Sequence, residues 1–479
     1  MSASDFFAIL PLLLLSGSSV LIMLLIAIRL SHRLIQLSSL LLFAVSFSSL
    51  FYIQKTIPYT LEPLLIIDGF SVFIMGLIIF SSLVVNILSY IYFEEKEESP
   101  KEYYVLLFLC TLGACVLAVS KHFVSLFLGL EILTVGLYAL MAYLRGRNHS
   151  IEAGIKYLIL AAFSSAFLLF GMALIYMETG SMDFSGIAES INKFETLSPI
   201  FITGLGMMLV GIGFKLAVVP FHMWTADVYQ GAPAPVTAFI STASKGGVFA
   251  VLFRFFIAID GFRNDKIILT IVFVTIASMI VGNLLALQQK NVKRILAYSS
   301  IAHLGYLLVA FIPGSTLSLY AVSFYLLAYF ITTLSAFGVV TVLSNKNADA
   351  EDINSYRALF WHNPVLALIF SISLISLAGI PLTAGFIGKF YILSAALQSG
   401  FWLIALVLVI SSVIGLYYYL RIITAMFSGN KTRVIKDVKP HPVFYVASMI
   451  TLCILTLFII WFGVYPSQLM QFMADLIVW

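Results

Sequence analysis

Residues 211–246 read GIGFKLAVVPFHMWTADVYQGAPAPVTAFISTASKG, and this stretch decides how the rest of the chain can fold. Lys215 and Lys245 each lie in a long apolar run, which is typical of a helix that crosses a membrane. Helix-breaking and polar residues separate the two lysines, namely Pro220, His222, Trp224, Asp227, Pro233 and Pro235. A charged side chain near the middle of a bilayer costs about 2.5–3.5 kcal/mol on insertion scales. Two lysines kept at that depth therefore indicate a functional use.

The composition is that of a membrane protein with many helical spans. Hydrophobic residues make up 61% of the 479 residues and charged residues 10%, whereas soluble proteins average about 25% charged residues. The net charge of +4 is spread over short loops, without a basic face, which argues against nucleic acid as a partner. The glycines of GLGMMLVGIGF (204–214) lie inside a span with no preceding strand, so they indicate close helix packing and not a dinucleotide site.

Apolar runs of about 20 residues predict an all-α polytopic membrane protein with about fourteen transmembrane helices. The predicted spans lie near residues 6–28, 34–53, 70–93, 103–120, 123–144, 153–177, 198–219, 235–258, 267–288, 295–312, 317–343, 364–393, 402–420 and 442–464. The first run is longer than the core of a signal peptide, so we expect it to be retained. The apolar tail 465–479 is too short to cross the membrane, and we expect an interfacial helix there.

Lysine and arginine divide unequally between the two sets of alternate loops. One set holds Arg29, Arg33, Lys96, Lys101, Arg145, Arg147, Lys290, Lys293, Arg294, Lys346, Arg357, Arg421, Lys431, Arg433, Lys436 and Lys439. The other set holds Lys55, Lys121, Lys193, Arg263 and Lys266. Because cytoplasmic loops carry the excess of basic residues, we expect the first set to be cytoplasmic and both termini to face outward.

A second interrupted helix is predicted at SLAGIPLTAGFIGKFYIL (376–393), where Gly379 and Pro381 precede Lys389. One interrupted helix in each half indicates two inverted five-helix repeats, as in many transporters. We therefore predict three N-terminal helices in residues 1–98 and a first repeat of helices 4–8 in 99–260. A second repeat of helices 9–13 would occupy 261–428, and the last helix and tail 429–479.

Titratable residues inside the spans are the candidate site. The candidates for a proton path are Glu131, Lys156, Lys215, Lys245, His303 and Lys389, and the predicted helix breaks are Pro220, His222, Pro233, Pro235, Gly379 and Pro381. Structural alternatives remain for several of them. Glu131 and a lysine would also suit a buried ion pair that fixes helix packing. Lys156 and Arg254 lie near span ends, where long side chains extend to the membrane surface, and His303 would suit an ordinary core position.

Four segments resemble the antiporter-like membrane subunits of respiratory complex I. They are GLEILTVGLYALMAY (129–143), GFKLAVVPFHMWTADVYQGAPAPVTAFISTASK (213–245), KRILAYSSIAHLGYLLVA (293–310) and AGIPLTAGFIGKFYIL (378–393). Within that family the likeness is to the subunit N type, the counterpart of mitochondrial and chloroplast subunit 2. Lys389 supports this type, since subunit M carries a glutamate there, and a long C-terminal arm as in subunit L is not found. Ala226 departs from the family, which usually has proline at this position.

The resemblance implies a proton-translocating subunit of NADH:quinone oxidoreductase, in which Glu131, Lys156, Lys215, Lys245 and Lys389 match the proton path. A proton from the cytoplasm would load Lys215 and pass through Lys245, with His303, to Lys389. FMN, iron–sulfur clusters and quinone would belong to other subunits, with no cofactor or metal in this chain. The implied partners are the antiporter-like subunits M and L, the small subunits K, J, A and H, and lipid. A multisubunit sodium/proton antiporter, a membrane-hydrogenase subunit and a structural spacer remain as alternatives.

Overall fold

The computed structural model describes residues 3–94, 96, 100–193, 197–346, 348–429 and 442–476, which form a bundle of helices. The first half contains α1 (Ala3–Ala8), α2 (Leu10–Ala27), α3 (His32–Ile53), β1 (Tyr59–Leu61), β2 (Leu65–Ile67), α4 (Gly69–Glu94), α5 (Glu102–Val119), α6 (Phe123–Met141), α7 (Asn148–Thr179), α8 (Phe184–Ile191), α9 (Pro199–Leu216), α10 (Thr225–Gly231), α11 (Ala234–Phe239), a π-helical turn (Ile240–Ser244) and α12 (Lys245–Ala258).

The second half begins with a short 3-10 turn, Gly261–Arg263, and a second one, Ile353–Tyr356, lies in its longest described loop. Its helices are α13 (Asp265–Leu287), α14 (Val292–Phe311), α15 (Thr316–Leu343), α16 (Leu359–His362), α17 (Pro364–Ala378), α18 (Ala384–Gln398), α19 (Trp402–Phe427), α20 (Pro442–Val464) and α21 (Pro466–Leu476). Four of the basic residues assigned to loops, Lys431, Arg433, Lys436 and Lys439, lie outside the described residues, as do 477–479 of the predicted tail helix.

Within the described residues, thirteen helical segments are long and apolar enough to cross a membrane. They correspond to thirteen of the fourteen predicted spans, so the prediction of a polytopic helical protein is confirmed. The twelfth predicted span, 364–393, is two shorter helices, α17 and α18, because the chain leaves the helix at Gly379. The first predicted span is likewise divided, between α1 and α2.

Helices α12, α14 and α15 form the interior of the bundle. The 18 most apolar consecutive residues of Ala234–Ala258 are all buried, whereas only 33% of the residues of Leu10–Ala27 are buried. Lys245 on α12 and His303 on α14 are therefore surrounded by protein and are shielded from lipid. This placement makes polar contacts between helices available to them.

Close packing of α7 on α9 positions Lys215. A Cβ atom at Gly171 would lie 2.5 Å from the carbonyl oxygen of Gly204, so only glycine allows the two backbones to approach this closely. Lipid supplies no hydrophobic driving force between helices, and contacts of this kind replace it. Ser164 of α7 adds a hydrogen bond to the carbonyl of Gly211, 2.9 Å long.

The loops gather at two ends of the bundle. We call the end formed by Lys96 and by the segments 142–147, 288–291, 344–346 and 348–363 the basic end. At the other end, the opposite end, an antiparallel hairpin pairs Tyr59 with Ile67, which the sequence had not predicted. Loops assigned to one set contact each other, as Asn291 pairs with Asp352 at the basic end. The repeat boundaries stay predictions, although each half does contain an interrupted helix.

Candidate functional site

The first interruption separates α9 from α11. The chain leaves α9 through Ala217, whose φ of 61° is left-handed, and α9 thereby ends one turn before Pro220. Neutral side chains take up the freed backbone groups: Trp224 Nε1 donates to the carbonyl of Phe214 (3.0 Å), and the amide of Val219 donates to Ser278 Oγ (2.9 Å). The interruption therefore costs few unsatisfied groups inside the bundle.

The predicted break residues have different roles in this interruption. Pro220 and His222 lie in the turn after α9, whereas Pro233 and Pro235 lie at the start of α11, where a missing amide is harmless. His222 is 7% exposed and therefore lies inside the bundle.

Lys215 lies in the last turn of α9 and is 6% exposed. Its Nζ donates to Thr134 Oγ1 of α6 at 2.7 Å, and it lies 5.5 Å from the ring centre of Tyr157. Glu131, one turn away from Thr134 on α6, accepts a hydrogen bond of 2.6 Å from Ser165. Among the described residues, Lys215 and Glu131 make no ion pair within 4 Å. The carboxylate can therefore influence Lys215 only at longer range.

Lys245 begins α12 directly after the π-helical turn Ile240–Ser244. Only 2% of it is exposed, and its Nζ donates to Ser300 Oγ of α14 at 2.7 Å. The hydroxyl of Tyr229, on α10, lies 3.5 Å from the same Ser300 oxygen. A π-helical turn inside an α-helix is rare and often marks a functional position. Here it immediately precedes the buried lysine.

His303 lies one turn beyond Ser300 on α14. Its Nδ1 is 2.6 Å from the hydroxyl of Tyr325, and its Nε2 is 3.2 Å from that of Tyr419. Both ring nitrogens thus have partners that can donate or accept a proton. Ser300, His303 and Tyr306 follow at intervals of three residues, so each is next to the following one along a single ridge of α14. We call this ridge the polar face of α14.

The second interruption separates α17 from α18. Gly379 has φ of 82°, and a Cβ there would lie 2.8 Å from Cδ of Lys389, so glycine is required on both counts. Lys389 is 7% exposed, and its Nζ donates to the carbonyls of Leu377 (3.0 Å) and Ala378 (2.9 Å) and to Ser412 Oγ (2.7 Å). The lysine therefore caps the end of α17.

The helix α14 connects two of the buried lysines. Lys245 bonds to Ser300, and Lys389 lies 4.9 Å from the ring centre of Tyr306, which follows Ser300 on the same helix. His303 lies between these contacts. Lys215 belongs to a separate group with α6 and α7, and no hydrogen bond between the described residues joins this group directly to Lys245.

Lys156 lies apart from the buried lysines, in an ion cluster at the basic end. Its Nζ contacts Glu152 at 2.6 Å and Asp227 at 3.0 Å, and Asp227 also contacts Arg294 at 2.7 Å. The side chain of Lys156 is 42% exposed. Burial alone would raise the pKa of Asp227, but the hydrogen bonds from Arg294 and Lys156 outweigh burial and lower it. Asp227 therefore stays ionised at neutral pH.

Arg254 is buried and paired within the protein, at the end of the bundle where α4 begins. It is 4% exposed and binds both carboxylate oxygens of Asp68, at 2.6 and 2.9 Å. The pair joins α12 to the start of α4, 186 residues earlier in the chain. A bidentate arginine–carboxylate geometry satisfies both charges inside the protein, which removes the reason to reach for solvent.

Between Lys245 and the opposite end, aromatic rings of α12 pack against α14. Phe253 and Phe256 of α12 lie 5.7 and 5.2 Å from Phe311 of α14, between ring centres, and all three side chains are fully buried. Phe249 lies 6.0 Å from Phe311. Such contiguous rings offer a proton no donor or acceptor, whereas the polar face of α14 does.

Sequence reasoning missed Asp349, which lies in the loop after α15 with a side chain only 2% exposed. It contacts Lys96, Arg147 and Lys293, which the sequence had placed in separate loops facing water. No local pattern distinguishes Asp349 from the neighbouring acidic residues of the same loop. The shared basic set of loops was the one signal that its partners lie at the same end.

Comparison with known proteins identifies the family and the fold. The family described as NADH:quinone oxidoreductase/Mrp antiporter, transmembrane, matches residues 120–415, which is more than half of the chain. A chain in respiratory complex I from Thermus thermophilus has a TM-score of 0.81 and 31% identity, over 96% of this chain and 98% of that one.

Two further structures have a similar fold. A chain of the membrane-bound sulfane sulfur reductase, an archaeal respiratory membrane complex, has a TM-score of 0.85 and 25% identity, over 99% of this chain and 97% of that one. A chain of the Mrp complex from Dietzia sp. DQ12-45-1b has a TM-score of 0.85 and 20% identity, with the same coverage, and shows the fold alone. The chain therefore belongs to the antiporter-like membrane subunits of the NADH:quinone oxidoreductase/Mrp antiporter family.

Proposed function

We propose that this chain is the subunit N type of a complex I-like NADH:quinone oxidoreductase and that it moves protons across the membrane. The observation that carries the proposal is the set of three buried lysines, Lys215, Lys245 and Lys389. Each is bonded to neutral groups, and none has a carboxylate within 4 Å among the described residues. Lysine changes its protonation state readily when it is buried, which suits proton transfer.

In this proposal a proton enters from the basic end, which faces the cytoplasm, and first loads Lys215. Glu131 sets the affinity of Lys215 for the proton from a distance. Lys245 receives the proton next, and Ser300, His303 and Tyr306 lead along α14 to Lys389. The tyrosines bonded to His303 and bound water complete this route. The buried phenylalanines of α12 and α14 oppose direct release of the proton from Lys245 to the opposite end.

The redox chemistry lies elsewhere in the proposed complex. Oxidation of NADH by quinone, with FMN and iron–sulfur clusters, occurs in other subunits, and this chain holds no redox cofactor. Its neighbours are the antiporter-like subunits M and L and the small subunits K, J, A and H. The basic loops support an inner-membrane location with both termini on the periplasmic side. The 31% identity to a complex I chain over nearly the whole length supports this membership.

The test is Lys245→Ala in the intact complex, with NADH–quinone turnover and proton pumping measured together. We expect pumping to be lost, because the Nζ that bonds Ser300 is the group that exchanges the proton. Lys266→Ala is the matched control, since Lys266 is an exposed lysine at the start of α13. Normal pumping per electron in Lys245→Ala would contradict the proposal.

A sodium/proton antiporter is the second candidate, because the matched family includes Mrp antiporters and the fold resembles an Mrp chain. It predicts sodium-dependent proton flux in liposomes in the absence of any redox partner. The complex I proposal predicts that purified complexes contain FMN and iron–sulfur absorbance together with this chain. These two measurements separate the candidates.

A further inference from the structure

Asp349 is the centre of a buried ion cluster at the basic end. Its carboxylate accepts hydrogen bonds from Lys96 (2.7 Å), Arg147 (3.1 Å) and Lys293 (2.9 Å), and a fourth from the hydroxyl of Tyr92 (2.7 Å). The side chains of Lys96 and Lys293 are 3% and 0% exposed. One carboxylate therefore holds three cations that come from three different segments of the chain.

Lys293 connects this cluster to the first interruption. Besides Asp349, its Nζ donates to the carbonyls of Gln230 (2.8 Å) and Ala232 (2.6 Å). These carbonyls lie at the end of α10 and just after it, where the helix has stopped and Pro233 follows. Lys293 thus satisfies acceptors that the interruption has freed.

The same short helix faces the candidate proton path on its other side. Tyr229 precedes Gln230, and its hydroxyl lies 3.5 Å from Ser300, the partner of Lys245. A displacement of Gln230 would therefore move Tyr229 relative to Ser300. Gln230, which binds Lys293, is thus the direct neighbour of Tyr229, which contacts Ser300.

Asp349 is needed in its charged form. Burial alone would raise the pKa of its carboxyl, but the charges of Lys293 and Lys96 outweigh burial and hold the pKa well below its usual value. Glu351, the next acidic residue, instead accepts hydrogen bonds from the side chains of Asn291 and Gln230. Without Asp349, Lys293 would be a buried cation beside two others, and its hold on α10 would weaken.

We propose that Asp349 is a positioning residue for proton transfer at Lys245, which acts by holding Lys293 on the carbonyls of Gln230 and Ala232. A loop of the second half thereby fixes the helix interruption of the first half. This inference rests on the proposed function, because it assigns the residue a role in that same proton path.

Amide hydrogen exchange of residues 225–239 in the intact complex tests the contact itself. We expect Lys293→Met and Asp349→Asn each to speed exchange in this segment about tenfold or more, because the carbonyls of Gln230 and Ala232 lose their donor. Asp352→Asn is the matched control, since Asp352 is exposed on the same loop and asparagine keeps its capping role. Unchanged exchange in Lys293→Met would overturn the inference.

Combining the variants tests whether Asp349 acts through Lys293. We expect the Asp349→Asn, Lys293→Met double variant to exchange no faster than Lys293→Met alone, whereas additive effects would contradict this order of action. Asp349→Glu keeps the charge and should restore slow exchange. If Asp349→Asn fails to assemble, Lys293→Met still decides, because it leaves Asp349 neutralised by Lys96 and Arg147.

Proton pumping then separates this inference from the proposed function. We expect Lys293→Met to lower pumping per electron at least threefold and to change the pH at which turnover is maximal, which a merely structural contact would not do. Faster exchange with normal pumping, while Lys245→Ala abolishes pumping, would overturn the inference and leave the proposed function intact. Normal pumping in Lys245→Ala would instead overturn the proposed function, and the exchange data would still report on the contact.

Discussion

At the two interrupted helices, different groups bind the backbone atoms that the interruption leaves unpaired. In the first interruption, Trp224 and Ser278 take the freed backbone groups, and Lys215 is left to bond Thr134. In the second, Lys389 itself binds the carbonyls at the end of α17. Both lysines are buried to a similar extent, yet only one of them also maintains the backbone. Removal of the charge should therefore have separable consequences at the two sites.

The largest difference is expected between Lys389→Met and Lys215→Met. Lys389→Met leaves the carbonyl of Leu377 without a donor, whereas the carbonyl of Ala378 keeps its hydrogen bond from Ser412 Oγ (3.2 Å). A buried unsatisfied group costs about 1–3 kcal/mol. Lys215→Met removes one bond to Thr134 and should cost roughly 1 kcal/mol of the free energy of unfolding. Thermal unfolding of the purified complexes measures both, and pumping should fail in both. Equal loss of stability would show that Lys389 is not a backbone cap.

Ala217 and Gly379, the left-handed residues that end α9 and α17, provide a second, smaller contrast. Gly379→Ala should destabilise by about 1–3 kcal/mol and lower turnover, since the new Cβ meets Lys389. Ala217→Gly removes the cost of holding alanine in a left-handed conformation, about 1–2 kcal/mol. It also removes a buried methyl group, which costs a similar amount, so the net change in the free energy of unfolding should be near zero. The same thermal assay tests this pair, and a strongly destabilised Ala217→Gly would contradict the assignment of strain.

The smallest contrast concerns the hydroxyl partners. Thr134→Val removes the hydrogen-bond partner of Lys215, whereas Ser412→Ala leaves Lys389 with two carbonyls. Turnover should therefore fall more in Thr134→Val, by about three- to tenfold for a loss near 1 kcal/mol, than in Ser412→Ala. Steady-state NADH–quinone assays on membranes measure the ratio. A larger fall in turnover in Ser412→Ala than in Thr134→Val would mean that the Ser412 hydroxyl, and not the two backbone carbonyls, holds Lys389.

Burial within the helical bundle could be predicted from the sequence, whereas the partners of each buried side chain could not. Long apolar runs and prolines predict spans and interruptions, so Lys215, Lys245 and Lys389 are buried as the pattern requires. Which side chain a lysine meets depends on helix rotation and on contacts between distant segments. Lys215 accordingly bonds Thr134 and not Glu131, and Arg254 finds Asp68 at a separation of 186 residues. Short-range periodicity carries no information on such pairs.

The cluster around Asp349 also has a consequence for the order in which the protein is made. Asp349 follows Lys96 by 253 residues and Arg147 by 202. At ribosomal rates of about 5–20 residues per second, Lys96 waits roughly 13–50 s for its partner. Until Asp349 is made, neither Lys96 nor Arg147 can pair with it, and by the positive-inside rule their charges would favour the cytoplasmic side of the membrane during insertion. Asp349 would then bury them, so that charges of use in insertion would become internal supports of the finished protein.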